Sequence, residues 1–222
     1  MNANINKQTV HIFGLERSNF VRTVMLICEE KNIPYTFGFE YKNKSVAFKS
    51  DQHFKLHPYG KIPVLLHNDF ELSETASICR YLDNNFEGNS VQFDEAKKSA
   101  YHDAFCAIAS IDIDKAILRH FLIEFAFPKG ENGEVRLDVA KAALPEVRNA
   151  LNVISNELAS HNGILNNEQL SIADALVAPM IHYLTTLPEG FNLVPEFPRI
   201  TAYLADLFKH ESCQKILIKK AK

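Results

Sequence analysis

The first third of the chain carries two kinds of hydrophobic pattern. Apolar and polar residues alternate over residues 9–13 and again over 35–41, which predicts two strands. Between them, over residues 19–31, apolar residues return every three or four positions, which predicts a helix that Ser18 can cap. A strand, a helix and a second strand in this order imply a right-handed βαβ unit.

A proline then introduces a second pair of apolar segments. Residues 61–66 and 70–73 predict two short strands joined by a polar turn, and a helix follows over residues 74–85. Pro63 has no backbone N–H, so it belongs at the first residue of a strand or on an edge. If the peptide bond before Pro63 is cis, the backbone of Ile62 is held out towards solvent or a ligand.

The helix that follows this hairpin begins with polar residues. Glu74 and Thr75 fall in its first turn, where free N–H groups and the helix dipole attract anions. An exposed strand edge beside such a helix start suits an extended peptide that carries carboxylates. The hairpin and the helix start therefore predict a peptide-binding site.

Strand patterns end near residue 90, and the rest of the chain is helical in pattern. Residues 84–90 have the composition of a linker. Ser171 and Asp174 have the spacing of a capping box, which predicts the start of a nearly all-apolar helix and places that helix in a core. The predicted helices cover residues 94–127, 135–157, 173–184, a stretch opening at 197–198, and 211–220.

The predicted fold class is α/β followed by all-α. We expect a first domain over residues 1–84, built from a mixed four-stranded sheet with helices, then a linker over 85–93 and an all-helical domain over 94–222. A chain of 222 residues is long enough for this arrangement.

Composition narrows the function classes. The net charge of −3 gives no electrostatic reason to expect nucleic acid or an anionic membrane as a partner. Residues 1–7 lack an apolar signal core and no apolar run is long enough to span a bilayer, so we expect a cytoplasmic protein. The four cysteines form no C-x-x-C pair, which argues against a zinc cluster, so we expect reduced core thiols and no metal site.

Several of these segments together resemble the cytosolic glutathione transferases. The resemblance rests on residues 60–63, on 74–78, on the capped helix after Ser171, and on the loop over residues 14–22. That loop is similar to the active-site loop of the serine-type classes (theta, phi, zeta and bacterial relatives), and it contains no tyrosine or cysteine. The resemblance implies a thioredoxin-like first domain that binds glutathione, and an all-helical second domain.

The resemblance assigns the thiolate-stabilising role to Ser18. A hydroxyl that donates to sulfur, at the positive end of a helix, favours the thiolate of glutathione. From residue type alone Ser18 is only a helix cap, whereas its place in the loop favours catalysis. Asn19 is the rival donor, because its amide can also reach sulfur.

The same resemblance assigns the peptide contacts. The backbone of Ile62 would pair with the cysteinyl portion of glutathione, and Pro63 would shape that edge. Glu74 would accept the γ-glutamyl ammonium, and Thr75 would hold the γ-glutamyl carboxylate; ordinary helix capping is the alternative for both. Candidates for the glycyl carboxylate are Lys49 and Lys61. The chain departs from the phi pattern at Phe48, where a histidine is often found.

A small electrophile would lie between the domains, against the long helix. Tyr101, His102 and Phe105 are weak candidates for the acceptor pocket, with core packing as the alternative for each. The resemblance also implies a homodimer, no cofactor, and glutathione as a co-substrate. Conjugation to small hydrophobic electrophiles is the expected activity; the alternatives are a glutathione-dependent isomerase or peroxidase, and a non-catalytic interaction module.

Overall fold

Two compact units make up the protein. The computed structural model describes residues 9–160, 162–165 and 168–218. The first unit ends at Val91 and takes in the chain again from Glu211; the second comprises Gln92–His210. The division between Val91 and Gln92 falls within the predicted linker over 85–93, whereas the segment from Glu211, predicted as part of the helical domain, belongs to the first unit. Parts of the predicted domains, residues 1–8 and 219–222, lie outside the described residues.

A mixed four-stranded sheet forms the centre of the first unit. Its strand order is β2-β1-β5-β6, with β1 and β2 parallel and the other neighbours antiparallel, which confirms the predicted sheet. The parallel pair is joined through a helix, as the βαβ pattern predicts. The strands are β1 (Val10–Phe13), β2 (Tyr35–Gly38), β3 (Glu40–Tyr41), β4 (Lys44–Ser45), β5 (Val64–His67) and β6 (Phe70–Ser73).

The predicted strand over residues 35–41 is wrong in its second half. Strand β2 pairs with β1 only as far as Gly38, whose φ of 150° leaves the usual strand conformation. Glu40 instead pairs with Ser45 in a separate hairpin, β3–β4, whose turn residues have positive φ. Alternating residues therefore continue across a glycine at which the backbone changes partner.

Three neighbouring strands end level with one another. Phe13 of β1 lies opposite Val64 of β5, and Val64 lies opposite Ser73 of β6. The residue after β1, the residue before β5 and the residue after β6 consequently share one edge of the sheet. These residues are Gly14, Pro63 and Glu74.

Helices cover the sheet of the first unit and bury its apolar side chains. α1 packs against both α3 and α9. Two side-chain hydrogen bonds join α9 to α1. Ser212 Oγ donates to Glu30 Oε2 and Lys215 Nζ donates to Glu29 Oε2, each at 2.7 Å. These contacts explain why α9 joins the first unit. The helices are α1 (Asn19–Glu30), α2 (Asp51–Leu56), α3 (Thr75–Asn85) and α9 (Glu211–Leu217).

The second unit is helical throughout its described part. One uninterrupted helical run begins with α4 and passes through a π-helical segment, Ala109–Leu122, before ending with α5. The predicted long helix over 94–127 therefore forms, with a wider turn in its middle. Arg119 Nε donates to Asp114 Oδ2 at 3.0 Å, a pair five residues apart that a π-helix brings to one face. The α-helices are α4 (Ala96–Ile108), α5 (Ile123–Ala126), α6 (Leu137–Ala159), α7 (Ile172–Thr185) and α8 (Pro198–Leu207).

Helix α7 is the core of the second unit, and its capping box forms as predicted. Ser171 Oγ accepts the backbone N–H of Asp174, and the Asp174 carboxylate accepts the backbone N–H of Ser171. Asp174 also accepts a hydrogen bond of 2.6 Å from the buried hydroxyl of Tyr203. Within the described residues, no helix has the length and apolar content needed to cross a membrane.

Candidate functional site

The loop after β1 lies directly against the residue before Pro63. Gly14 has a φ of 155°, and a Cβ placed on it would come within 2.6 Å of Val21 Cγ2 and 3.2 Å of Ile62 Cβ. Only glycine permits this approach. The close packing brings the predicted catalytic loop and the predicted peptide-binding edge together within the first unit.

Ser18 stands at the start of α1 with its hydroxyl uncommitted to capping. Its backbone is extended (φ −69°, ψ 129°), and its carbonyl accepts the N–H of Arg22 at 2.9 Å. The side chain makes no capping hydrogen bond, although serine is a preferred cap. The side chain is half-buried at the positive end of a twelve-residue helix. This geometry favours a ligand-binding role over the capping alternative.

Asn19, the rival donor, is the first residue of the same helix. Its Oδ1 atom is buried and accepts no hydrogen bond from the described part of the chain. A buried amide oxygen without a donor is costly. Asn19 therefore offers a second polar group, next to Ser18, that a ligand could satisfy.

The peptide-binding edge begins at a cis bond between Ile62 and Pro63. Pro63 is buried one residue before β5 begins, so the strand loses no ladder hydrogen bond to the missing N–H. The half-buried side chain of Ile62 packs on a cluster that contains Phe13 and Val64. The cis conformation that the sequence reasoning required is present.

Glu74 has an unusual backbone for its position. It is the residue before α3, with a φ of 70° and a ψ of 111°, a region that residues with a Cβ rarely occupy. Its carbonyl accepts the N–H of Ile78 at 2.9 Å, while its side chain makes no capping bond and is 74% exposed. Thr75 is buried as the first residue of the helix. The exposed carboxylate of Glu74 is therefore available to a cationic group.

A buried histidine lies behind this carboxylate, and sequence reasoning missed it. His57 Nδ1 accepts the backbone N–H of Tyr59 at 3.2 Å, so the ring proton belongs on Nε2, which is 3.7 Å from Glu74 Oε1. Burial lowers the pKa of His57, although the Glu74 carboxylate opposes this shift. His57 stands four residues after His53, and this H-x-x-x-H spacing is the sequence signal that could have drawn attention to it.

The two lysine candidates lie on segments that a second buried histidine joins. Lys49 and Lys61 are both exposed, so their ammonium groups can reach a ligand carboxylate. The ring of His53, which is fully buried, is within hydrogen-bond distance of the backbone N–H of Lys49 and the backbone C=O of Lys61. His53 was not singled out from the sequence either, although it forms an H-x-x-x-H pair with His57.

The acceptor-pocket candidates on α4 behave differently from one another. Tyr101 is 57% exposed, but His102 and Phe105 are buried at 1% and 4%. His102 Nε2 accepts the backbone N–H of Ala173 at 3.2 Å and so satisfies a free donor at the start of α7. His102 and Phe105 are buried in the second unit, as the packing alternative expects, and their assignment to an acceptor pocket stays a prediction.

Two sequence profiles of one family match most of this chain. The profile for the glutathione S-transferase N-terminal domain matches residues 12–90. The profile for the glutathione S-transferase C-terminal domain matches residues 137–206. The chain belongs to the glutathione S-transferase family.

Full-length relatives and solved structures of glutathione transferases agree with this. Glutathione S-transferase F6 of Arabidopsis thaliana is 25% identical over 214 residues, covering 94% of this chain and 99% of the relative. The theta class glutathione S-transferase from Xanthomonas axonopodis pv. citri, solved with glutathione bound, superposes with a TM-score of 0.79 at 19% identity, covering 97% of this chain and 100% of that one. The transferase fold therefore extends over nearly the whole chain.

One further relative has another name and is much longer than this chain. Elongation factor 1-gamma of Prunus avium is 26% identical over 205 residues, which covers 92% of this chain but only 46% of that protein. The similarity therefore covers less than half of a protein that is not named as a transferase.

The cysteine thiols of this glutathione transferase family member are buried. Cys28, Cys79, Cys106 and Cys213 form no disulfide bond, as predicted. Burial raises the pKa of the Cys28 thiol, which keeps it protonated and unreactive. Within the described residues no three histidine, cysteine or carboxylate side chains come together as a metal site.

Proposed function

We propose that this chain conjugates the thiolate of glutathione to small hydrophobic electrophiles. The observation that carries the proposal is the strand register: β1 ends at Phe13 and β6 ends at Ser73, both level with Val64, where β5 begins. This register brings the loop of Ser18, the backbone of Ile62 and the carboxylate of Glu74 to one edge of the first unit. Each is a group that one part of glutathione requires.

The chemistry begins with the thiol. A free thiol is mostly protonated near neutral pH, and it becomes a nucleophile when its proton leaves for solvent. The hydroxyl of Ser18 then donates to the sulfur, and the positive end of α1 adds to the stabilisation. A shift of roughly two pKa units in the thiol corresponds to about 2.7 kcal/mol. The thiolate forms a C–S bond with the electrophile, and the displaced electron pair departs with the leaving group or takes a proton.

The tripeptide is held by backbone and charge. The cysteinyl portion pairs with the backbone of Ile62 as an added strand. The γ-glutamyl ammonium meets the exposed carboxylate of Glu74, and the γ-glutamyl carboxylate meets Thr75 at the start of α3. Lys49 and Lys61 are the cations for the glycyl carboxylate. No cofactor enters this scheme.

Two assays together test the proposal. The protein is applied to glutathione-agarose, and conjugation of 1-chloro-2,4-dinitrobenzene to glutathione is followed by absorbance. Retention with conjugation is the expected result. The proposal is abandoned if the folded protein is neither retained nor active, and isomerase and peroxidase assays on retained but inactive protein identify the related chemistries.

A non-catalytic interaction module is the second candidate. It is favoured by the similarity of nearly the whole chain to less than half of elongation factor 1-gamma. The uncommitted hydroxyl of Ser18 and the exposed carboxylate of Glu74 speak against it, because a purely structural descendant has no need for either. Retention on glutathione-agarose without activity on any of these substrates would favour this module.

The proposal includes a cytoplasmic homodimer. Supporting the dimer, the exposed apolar side chains Tyr101, Ile108 and Ile111 recur along one helical run of the second unit. Sedimentation analysis of the wild type and of Ile111→Glu tests it. A dimer that dissociates in the variant is expected, and a monomeric wild type rejects this part of the proposal.

A further inference from the structure

We propose that His53 is a positioning residue for glutathione, which fixes the backbone on both sides of the subsite for the glycyl end. The inference rests on the proposed function, because it concerns the same peptide-binding edge. It adds a residue that contacts no ligand and acts through Lys49 and Lys61.

The ring of His53 is tied at both nitrogens. Nδ1 accepts the backbone N–H of Lys49 at 3.0 Å, and Nε2 lies 2.9 Å from the backbone oxygen of Lys61. Because Nδ1 must accept and the carbonyl oxygen can only accept, the proton belongs on Nε2. Only the neutral Nε2–H tautomer satisfies both partners. The ring therefore links the backbone of Lys49, four residues earlier in the chain, to the backbone of Lys61, eight residues later.

Packing holds this ring in place. His53 is fully buried, with ring centroids of Phe13 at 5.0 Å, Phe48 at 5.2 Å and Phe54 at 6.4 Å. Its backbone N–H also donates to Ser50 Oγ, the cap of α2, at 3.4 Å. These ring contacts hold the orientation of His53, so loss of either hydrogen bond leaves a part-buried polar group without this partner.

The two backbone groups belong to segments that need support. Lys49 has a φ of 61°, a conformation that is uncommon for a residue with a Cβ. Lys61 immediately precedes Ile62 and follows Gly60, whose φ is 56° and where a Cβ would come within 2.9 Å of Phe54 Cε1. The turn at Gly60 therefore packs closely against α2. The hydrogen bond between His53 and the Lys61 carbonyl fixes the backbone directly before Ile62, where the peptide-binding edge begins.

Three substitutions separate the two bonds. His53→Phe keeps a ring and loses both bonds; His53→Asn keeps an acceptor near the Nδ1 position; His53→Gln keeps a donor near the Nε2 position. We expect His53→Phe to raise the dissociation constant for glutathione by roughly 5- to 150-fold, the range for an unpaired polar group. His53→Asn and His53→Gln should fall between His53→Phe and the wild type. At saturating glutathione, kcat should change less than twofold in all three.

A matched control comes from the same unit. His67→Phe makes the same substitution at a ring that is half-buried rather than fully buried, and removes a side-chain hydrogen bond between Nδ1 and the Tyr81 hydroxyl at 2.9 Å. It should leave the dissociation constant for glutathione unchanged. Equal weakening by His67→Phe and His53→Phe would reduce the effect to general loss of stability and overturn the inference.

Two further readouts separate this inference from the proposed function. Long-range ¹⁵N–¹H spectra of histidine-labelled wild-type protein should show the Nε2–H tautomer for the signals that His53→Phe removes; an Nδ1–H tautomer overturns the inference. Calorimetry with wild-type protein reports on the proposed function. If the wild type binds glutathione and His53→Phe binds equally well, only the inference fails. If the wild type does not bind glutathione, both fail.

Discussion

His57 Nε2 lies 3.7 Å from Glu74 Oε1, with the ring buried and the carboxylate in solvent. The ring is oriented by its other nitrogen, which accepts the N–H of Tyr59. At this distance a neutral ring makes no close hydrogen bond to the carboxylate, so Glu74 remains able to bind a ligand cation. Protonation of His57 would convert this neighbour into a competing cation.

The pKa of His57 predicts how stability depends on pH. Its pKa lies below the ordinary value near 6.5, chiefly because burial disfavours the charged ring. The unfolded chain therefore binds the proton more readily, and the stability that the neutral ring contributes is fully present above pH 6.5. It is lost as the pH falls through 6.5 towards the folded-state pKa. Urea unfolding at a series of pH values between 5 and 8 measures this loss.

His57→Asn is the matched variant for this measurement. Asparagine retains an acceptor for the Tyr59 N–H and does not titrate. The free energy of unfolding of the variant should fall less steeply below pH 6.5 than that of the wild type. Parallel curves for the two proteins would show that His57 does not carry the effect.

Ser18→Ala should reduce catalysis and spare binding. Loss of the hydroxyl removes the donor to the thiolate, so kcat/KM for conjugation should fall by roughly 100-fold, the equivalent of two pKa units in the thiol. The dissociation constant for glutathione should change less than about threefold, because the lost bond is to sulfur alone. Steady-state kinetics and titration calorimetry separate the two quantities.

Ser18→Thr and Asn19→Ala complete that comparison. Threonine keeps the hydroxyl, so Ser18→Thr should retain more activity than Ser18→Ala. If Asn19→Ala loses activity while Ser18→Ala does not, the thiolate donor is Asn19. The donating group would then be the Nδ2 amide of Asn19, because the buried Oδ1 can only accept.

Glu74→Ala should weaken glutathione binding. A charge-assisted hydrogen bond contributes about 1.5–3 kcal/mol, which corresponds to a loss of roughly 10- to 150-fold in affinity. Glu74→Gln keeps a hydrogen-bond acceptor without the charge, so its affinity for glutathione should lie between those of Glu74→Ala and the wild type. Calorimetric titration decides, with the exposed Glu87→Ala as the control in the same unit. Unchanged affinity in Glu74→Ala would remove its assigned contact with the ammonium group.

The buried ion pair between Lys31 and Asp83 should be important for stability. Lys31 Nζ donates to Asp83 Oδ1 at 2.8 Å and to the carbonyl of Asn89 at 3.1 Å, and the two side chains are 1% and 5% exposed. Lys31→Ala leaves a buried carboxylate without its cation and should cost about 3–5 kcal/mol in the free energy of unfolding. Urea denaturation provides the measurement.

The exposed pair Lys209–Asp206 supplies the comparison. Its side chains are 78% and 40% exposed, so Lys209→Ala should cost less than about 1 kcal/mol. Lys31→Ala and Lys209→Ala each remove one lysine from an ion pair. Equal effects would mean that burial does not control the outcome.

The features predicted correctly from sequence are those with local signals. Pro63 marks the entry to β5 by its missing N–H, and the Ser171–Asp174 spacing marks the start of α7. The sheet followed because the patterns of β1, α1 and the hairpin are each short-range. The end of β2 at Gly38 was not predicted, because the alternation of apolar and polar residues continues past the residue where the strand stops.

The missed features depend on contacts between separate segments of the chain. His53 and His57 acquire roles only when α2 and the turn at Gly60 pack together. The hydrogen bond of His102 was missed as well, because nothing local shows that the N–H of Ala173, 71 residues later, would need an acceptor. Sequence periodicity reports burial, whereas the partner of a buried polar group is set by the tertiary fold.

The return of α9 to the first unit has a consequence for biosynthesis. The surface of α1 that receives Ser212 and Lys215 is translated early, but its covering helix leaves the ribosome only after the whole of Gln92–His210 has been made. The nascent N-terminal half must therefore wait with that flank open to solvent or chaperones. A chain truncated after Val91 would lack α9 and would leave the same surface of α1 exposed.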